Sequence, residues 1–448
     1  MLNFRKYILT INLVIVMVCL CALGVQASPA TSYTMARNAK GRLVRTQDAY
    51  LPERTIIELD LQKPQDLFFG SDDILYIADT GNRRILKYDP QSDRVLLTIT
   101  SKSFFKPQGL FITENGELYI ADPVAGKVFK YDTAGNFLAE FGKPEDIAFQ
   151  GRPFNPGKIG VDRGGNMYIY GQGIADGIIQ LSGKGEFLGF FTSNRVELTL
   201  TERILDLVFT EEQKARLYQK TPPIFSNVHV GHDGLVYTTS MNSSSAVKRH
   251  NIAGVNQLAS VFSPVDPTDV WVDRTGIIFV PTNSGIIYVY SPDGEYIFSF
   301  GARNYSSTEK TDVSGLFTSL SALTLDSKGN VWTLDDEKSF IQTLAPTDYA
   351  LRVYEALGLY IGRHYEQAVS VWQDVLSLNQ MSVLAHNNIG KNYFALQDYE
   401  QALHHFGIAA NRVDYSEAFW EVRNQVLQQR LGGIFIILTS LMLFSYLA

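Results

Sequence analysis

The feature that most constrains this chain is an internal repeat that occurs six times between residues 60 and 345. Each copy contains an apolar strand, a polar turn that usually ends in glycine, and a second strand with an aromatic residue three positions after the turn. Nine and seven residues before that aromatic residue, the side chain is apolar in every copy, which is the period of a strand with one buried face. The aromatic residues are Tyr76, Tyr119, Tyr168, Tyr237, Phe279 and Trp332.

A second hairpin follows in most copies, so that each unit contains about four short strands. The aromatic positions lie 43 residues apart in copies one and two and 42 apart in copies four and five. Four-stranded units of this length are typical of a β-propeller, and the sequence predicts a six-bladed one over residues 28–348. The last copy shows only three strands. A segment around Arg54–Asp60 is expected to supply the fourth, because ring closure removes an exposed sheet edge.

The repeat units resemble those of the NHL family. Residues 63–67 (KPQDL) and 75–85 (LYIADTGNRRI) are close to that family's consensus, and residues 106–110 and 118–122 repeat it. The resemblance covers about 290 residues. It implies an NHL-type propeller but says little about function, because one fold serves many activities. NHL-type and related six-bladed propellers include lactonases, lyases, receptor ectodomains and RNA-binding modules.

One insertion interrupts the ring between the third and fourth copies, at about residues 195–223. Thr201 and Thr210 precede glutamate residues in the pattern of helix caps, and Pro222 ends the segment. Two short helices are predicted there. They are interpreted either as a packing flap or as a lid or docking element.

A different repeat occupies residues 349–430. The pentapeptide YEQAV at residues 365–369 recurs as YEQAL at residues 399–403, a spacing of 34. Both copies resemble tetratricopeptide repeats, which implies two helix pairs with a groove for a peptide or helix of a partner protein. Residues 415–430 are expected to add a capping helix.

Both ends of the chain are apolar. Arg5 and Lys6 precede an apolar run, and small residues stand before Ser28, so residues 1–27 are interpreted as a signal peptide, with an uncleaved anchor as the alternative. Residues 431–448 carry no charge and would span about 27 Å as a helix. They are predicted to form a transmembrane helix, with a buried soluble helix as the alternative. Cys19 and Cys21 both lie within the first segment, so the mature chain would contain no disulfide.

Candidate ligand residues lie ten positions before the repeated aromatic residues, near one mouth of the channel. Four of the six are polar: Asp66, Lys158, Asn227 and Asp269. One interpretation is that they bind a divalent metal or a polar ligand. The other is that they line a hydrated channel. Metal-dependent lactonase propellers use Glu, Asn and Asp ligands, and this ring has no Glu. His229, His232 and His250 do not match a known ligand spacing and are interpreted as ordinary strand and turn histidines. No catalytic residue and no cofactor is assigned.

The net charge of −7 disfavours nucleic acid as a partner. The sequence therefore favours a non-catalytic, membrane-anchored scaffold of the bacterial cell envelope. Most of the chain would be extracytoplasmic, and the tetratricopeptide repeats would bind protein partners, expected to be membrane proteins. The alternatives are a lactonase- or lyase-like enzyme and a propeller that binds carbohydrate or a small ligand.

Overall fold

The computed structural model describes residues 33–194, 222–258, 263–304 and 313–447. The predicted signal peptide (residues 1–27) and most of the predicted helical insertion (195–223) lie outside these residues. Within them the chain folds as a six-bladed β-propeller followed by a helical region.

The first three blades are four-stranded antiparallel sheets whose strands follow one another in sequence from the channel outward. Blade one contains β4 (Asp66–Phe69), β5 (Leu75–Asp79), β6 (Arg84–Asp89) and β7 (Arg94–Thr100). Blade two contains β8 (Gly109–Ile112), β9 (Leu118–Asp122), β10 (Lys127–Tyr131) and β11 (Phe137–Phe141). Blade three contains β12 (Pro156–Val161), β13 (Met167–Gly171), β14 (Ile179–Leu181) and β15 (Phe187–Phe190), after a short 3-10 helix at Ile147–Phe149.

The N-terminal segment contains the strands β1 (Met35–Arg37), β2 (Leu43–Arg45) and β3 (Tyr50–Ile56), which pair with blades five and six. Blade four shows β16 (Phe225–Val230), β17 (Val236–Ser240) and β18 (Val247–His250). Blade five contains β19 (Trp271–Val272), β20 (Ile278–Pro281), β21 (Ile287–Tyr290) and β22 (Tyr296–Phe300), and β1 and β2 extend it. A small parallel pair, β23 (Ala302–Arg303) and β24 (Leu316–Phe317), precedes blade six, which contains β25 (Leu320–Leu325), β26 (Val331–Asp335) and β27 (Phe340–Pro346).

Strand β3 completes blade six from the other end of the propeller sequence. It pairs antiparallel with β27, with Tyr50 opposite Pro346 and Ile56 opposite Ile341. The strand overlaps the interval around Arg54–Asp60 that the sequence suggested. Because this pairing covers the outer edge of β27, it joins the two ends of the ring.

In blades three, five and six, the first hairpin turn begins with an aspartate. In blade three, Asp162 accepts hydrogen bonds from the backbone N–H of Gly164 (2.8 Å) and Asn166 (2.9 Å). Gly165 has a φ of +82°, a conformation that glycine adopts at little cost. The same arrangement recurs at Asp326 in blade six, which also accepts a bond from the indole N–H of Trp332 (3.1 Å). The repeated aromatic residue therefore ties the turn to the blade.

The apolar core lies between the blades rather than at the centre of the ring. Leu67 and Ile77 of blade one pack with Leu334 of blade six, whereas Tyr76 of blade one packs with Ile120 of blade two. All five side chains are at most 2% exposed. Alternate residues of each strand point to opposite faces, so each blade buries one face against each neighbour.

The helical region contains five helices, and successive helices pack against each other. Thr347, Ser382 and Asp398 are N-caps, and each accepts a bond from the backbone three residues on. The helices are α1 (Asp348–Ile361), α2 (Tyr365–Leu378), α3 (Val383–Ala395), α4 (Tyr399–Ala409) and α5 (Arg412–Leu447).

The prediction of a transmembrane helix over residues 431–448 was wrong. In the described part of the chain, no helix is both long enough and apolar enough to cross a membrane. The apolar run does not form a separate helix. It is the last part of the 36-residue helix α5, whose first half carries charges of both signs, among them Asp414, Glu421 and Arg423.

Helix α1 packs directly on the propeller. One continuous core joins Tyr50 and Phe298 of the blades to Tyr349 and Val353 of α1, and continues to Trp372 of α2. The hydroxyl groups of Tyr50 and Tyr354 lie 3.2 Å apart. The first helices are therefore part of the propeller's own core and are not a separately packed unit.

Candidate functional site

Two of the four sequence-predicted ligand residues form a buried ion pair across the channel. The ammonium of Lys158, on blade three, lies 2.8 Å from Asp66 Oδ1 on blade one. Blade two lies between these blades, and its residue at this position is Gly109. A Cβ on that glycine would lie 2.6 Å from the carbonyl oxygen of Gly157. The glycine is thus required by the close approach of β8 and β12. Burial raises the pKa of Asp66, and the ammonium of Lys158 opposes that shift.

The other two residues contact each other on adjacent blades. The side-chain amide of Asn227 donates to Asp269 Oδ1. The second oxygen of Asp269 accepts from the backbone N–H of Leu323 on blade six (2.9 Å). Burial raises the pKa of Asp269 to about 7, with the charge of Lys158 opposing the shift and that of Asp66 adding to it.

The same kind of link joins blades one and two, because Asp66 Oδ2 accepts from the backbone N–H of Leu110 at 2.7 Å. We call Asp66, Lys158, Asn227 and Asp269 the polar ring. Each is at most 7% exposed, and each already has partners within the protein. A ligand in the polar ring would have to replace these bonds. Among the described residues, no group of three or more His, Cys, Asp or Glu is placed to hold a metal ion.

An aromatic floor lies next to the polar ring, two residues further along the inner strands. Phe68 contacts Trp271 and Phe111 edge-on or tilted, with ring centroids 4.8 and 5.1 Å apart. His229 lies 5.0 Å from Trp271. We call Phe68, Phe111, His229 and Trp271 the floor. Of these four residues, only His229 was a candidate from the sequence, although all four stand eight residues before a repeated aromatic residue.

The floor closes a cavity of about 830 Å³ that opens between the first hairpin turns of the blades. We call this cavity the cup. Its size is within the usual range for ligand pockets. The walls carry six carboxylates and two guanidinium groups, contributed by Asp73, Glu114, Glu117, Asp162, Asp273 and Asp326 and by Arg163 and Arg274.

The three histidines of blade four have different surroundings. His250 is 1% exposed and lies between the Thr238 hydroxyl (2.8 Å) and the Gly254 carbonyl (3.0 Å), and burial lowers its pKa to about 4. Burial lowers the pKa of His229 to about 3, so its imidazole is neutral at physiological pH. His232 lies on the rim of the cup, 3.8 Å from Glu114.

The buried carboxylates at the ends of the second strands bond to the backbone of the neighbouring turns. Asp122 accepts from the N–H groups of Phe105 and Lys106, both at 2.8 Å. Asp79 accepts from the N–H of Gln62 (2.8 Å) and pairs with Arg84 (2.6 Å). Both carboxylates lie away from the cup and fix the loops between blades.

A smaller cavity of about 280 Å³ lies where blade five meets the helices. At its edge, the carboxylate of Glu295 accepts two hydrogen bonds from helix α3, one from the side-chain amide of Asn387 and one from the ammonium of Lys391, both at 2.6 Å. We call this contact the clasp. It fixes α3 to the hairpin between β21 and β22.

No model of a known protein family matches the sequence, and no curated protein is similar to it in sequence. Among solved structures, virginiamycin B lyase from Staphylococcus aureus has a similar fold, with a TM-score of 0.40, 11% identity, and coverage of 70% of this chain and 87% of that one. Streptogramin B lyase has a TM-score of 0.42 and 14% identity, over 67% of this chain and 98% of that one. Hydrazine synthase from Kuenenia stuttgartiensis has a TM-score of 0.39 and 12% identity, over 65% and 97%. Similarity at this level concerns the fold alone.

Proposed function

We propose that this protein is a non-catalytic scaffold that holds a protein partner on its helical region. The observation that carries the proposal is the C-terminal part of helix α5. From Arg423 onward, every residue whose burial is described is exposed, including Leu427 (44%), Leu431 (59%) and Ile436 (67%). Exposed apolar surface of this extent marks interaction sites in proteins.

The polar ring supports the non-catalytic part of the proposal. Asp66, Lys158, Asn227 and Asp269 are joined to one another and to the backbone of neighbouring blades. These bonds give the four side chains a structural task. An enzyme that used them would need to break the links between blades in each cycle.

The finer assignment of both modules is part of the same proposal. Helices α2 and α4 begin at Tyr365 and Tyr399, which keeps the 34-residue spacing of tetratricopeptide repeats. The NHL-like motifs of blades one and two fall on strands β4–β5 and β8–β9. We propose NHL-type blades and a tetratricopeptide-like stack on these grounds. The signal-like residues 1–27 support an extracytoplasmic location.

Site-specific photo-crosslinking tests the scaffold function in the cells that produce the protein. A photoreactive amino acid is placed at Leu427 on α5 or, as a control, at Val124 on blade two, which is 65% exposed. We expect one discrete protein adduct from position 427 and not from position 124. The adduct should disappear when Leu431 is replaced with glutamate, because a charge in an apolar interface is costly. The same adducts from both positions, or none from 427, would contradict the proposal.

Point substitutions are preferable to deletion of residues 349–430. That deletion would expose Tyr50 and Phe298, which are at most 1% exposed and pack against α1. Loss of a partner could then not be distinguished from loss of the fold.

A further inference from the structure

We propose that the cup binds a small organic cation, with its ammonium group over the aromatic floor. This site is separate from the helical surface of the scaffold proposal and does not depend on it. Three features of the described residues carry the inference: the floor has polar atoms that are accessible from the cavity and have no partner in the protein, its aromatic residues line a sizeable cavity, and the walls carry more negative than positive charge.

The floor has hydrogen-bonding groups without partners. His229 and Trp271 are 7% and 8% exposed and both line the cup. In the described part of the chain, neither the imidazole of His229 nor the indole N–H of Trp271 has a hydrogen-bond partner within the protein. Their nitrogen atoms are not fully enclosed by the protein, so they are accessible from the cup. A ligand or ordered water in the cup can therefore bond to them.

The floor is suited to a cation because aromatic faces attract positive charge. Trp271, Phe68 and Phe111 have centroids 4.8–5.1 Å from their neighbours, so they form one contiguous patch. Tryptophan is the strongest of the aromatic partners of an ammonium group, and aromatic clusters recognise quaternary ammonium ions in other proteins. His229 does not oppose a cation, because burial lowers its pKa to about 3 and it carries no charge.

The walls carry more negative than positive charge. Within the described residues, Glu114 pairs with Arg163 and Glu117 with Lys130. Four other carboxylates are bound by neutral donors, and these are Asp73, Asp162, Asp273 and Asp326. Arg274 is the remaining cation of the lining, so the walls favour a positively charged guest.

The floor lies between the cup and the polar ring. The inner strands place the polar ring two residues before the floor, where Lys158 crosses the channel to Asp66. A ligand that enters between the first hairpin turns therefore meets the floor before it meets the polar ring.

The test uses the full-length protein and two probes of equal shape, choline and its neutral isostere 3,3-dimethylbutan-1-ol. Binding is followed by NMR titration, because each probe has nine equivalent methyl protons. We expect saturable binding of choline that is roughly tenfold tighter than that of the alcohol. Trp271→Leu should abolish this preference, whereas Trp420→Leu, on helix α5 outside the cup, should leave it unchanged.

Two further variants keep the test decisive if Trp271→Leu unfolds the protein. Phe111→Leu changes another part of the floor and should also weaken choline binding several-fold. Asp73→Asn removes a wall charge and should lower choline affinity about two- to threefold at low salt, and less at high salt. Equal affinity for choline and the alcohol, or no saturable binding of either, would overturn the proposal.

Discussion

Replacement of His250 with glutamine should change how the stability of the propeller depends on pH. In the native protein, the Gly254 carbonyl can only accept, so His250 Nδ1 donates to it (3.0 Å). Burial lowers the pKa of His250 to about 4 from an ordinary value of 6.5. The imidazole is therefore neutral at pH 7, and its Nε2 accepts from the Thr238 hydroxyl (2.8 Å).

The sign and size of the effect follow from proton linkage. Between pH 6.5 and 4 the unfolded chain binds a proton at this histidine and the folded chain does not, so the free energy of unfolding falls as the pH falls. The slope is about 1.36 kcal/mol per pH unit. Acidification from pH 7 to 5 should therefore cost the native protein about 2 kcal/mol at His250, and glutamine, which does not titrate, should remove that cost.

Denaturant unfolding of both proteins at pH 7 and pH 5 measures the difference. The quantity to compare is the loss of stability between pH 7 and pH 5 in the native protein and in the glutamine variant. One protein alone is not enough, because the pKa of Asp269 is raised to about 7 and this group therefore stabilises the folded state as the pH falls. Burial also lowers the pKa of His229 and that of His405 on α4. These contributions are present in both proteins and cancel in the difference. If the glutamine variant loses as much stability on acidification as the native protein, His250 is not held neutral and the reasoning fails.

Three other substitutions test single contacts, each by denaturant unfolding. Lys158→Met should destabilise the protein by roughly 3–5 kcal/mol at pH 7, because it leaves Asp66 buried without its partner, and the loss should shrink on acidification as that carboxyl gains a proton. Glu295→Gln should destabilise the native protein by about 1–2 kcal/mol, because it weakens the clasp. If the clasp is the reason, the same substitution should cost nothing in a protein that already carries Lys391→Met. Gly390→Ala on α3 should cost about 1–3 kcal/mol, because the new Cβ would lie 2.6 Å from the ring of Phe406 on α4. An unchanged midpoint of denaturant unfolding would contradict this.

The six-bladed propeller could be predicted because its signal is local and repeated. A strand, its turn and the following aromatic residue lie within about a dozen residues, and the period-two pattern reappears in every blade. Of the apolar positions before Tyr76 and Trp332, Leu67, Phe69 and Leu323 are buried as that pattern requires, and Leu325 is half-buried. Helices α1–α4 were also predictable, because the spacing of their apolar residues and their capping residues are local features of the sequence.

The site was only partly predictable, because its contacts join blades that are distant in sequence. The spacing placed Asp66 and Lys158 near one mouth of the channel, but nothing local indicated that they would pair with each other. The floor was not predicted from the sequence, because Phe68, Phe111 and Trp271 resemble ordinary core residues of a strand. Only the closed ring brings these side chains together with His229 around one axis.

The continuity between propeller and helices constrains how a scaffold of this kind would work. The clasp from Glu295 to α3 and the core shared by Tyr50, Phe298 and Tyr349 join the two modules on both a polar and an apolar side. Rotation of the helices against the blades would require both contacts to break. A partner bound to α5 would therefore be held in a defined orientation to the propeller, and ligand in the cup would add a second binding surface to the same rigid unit.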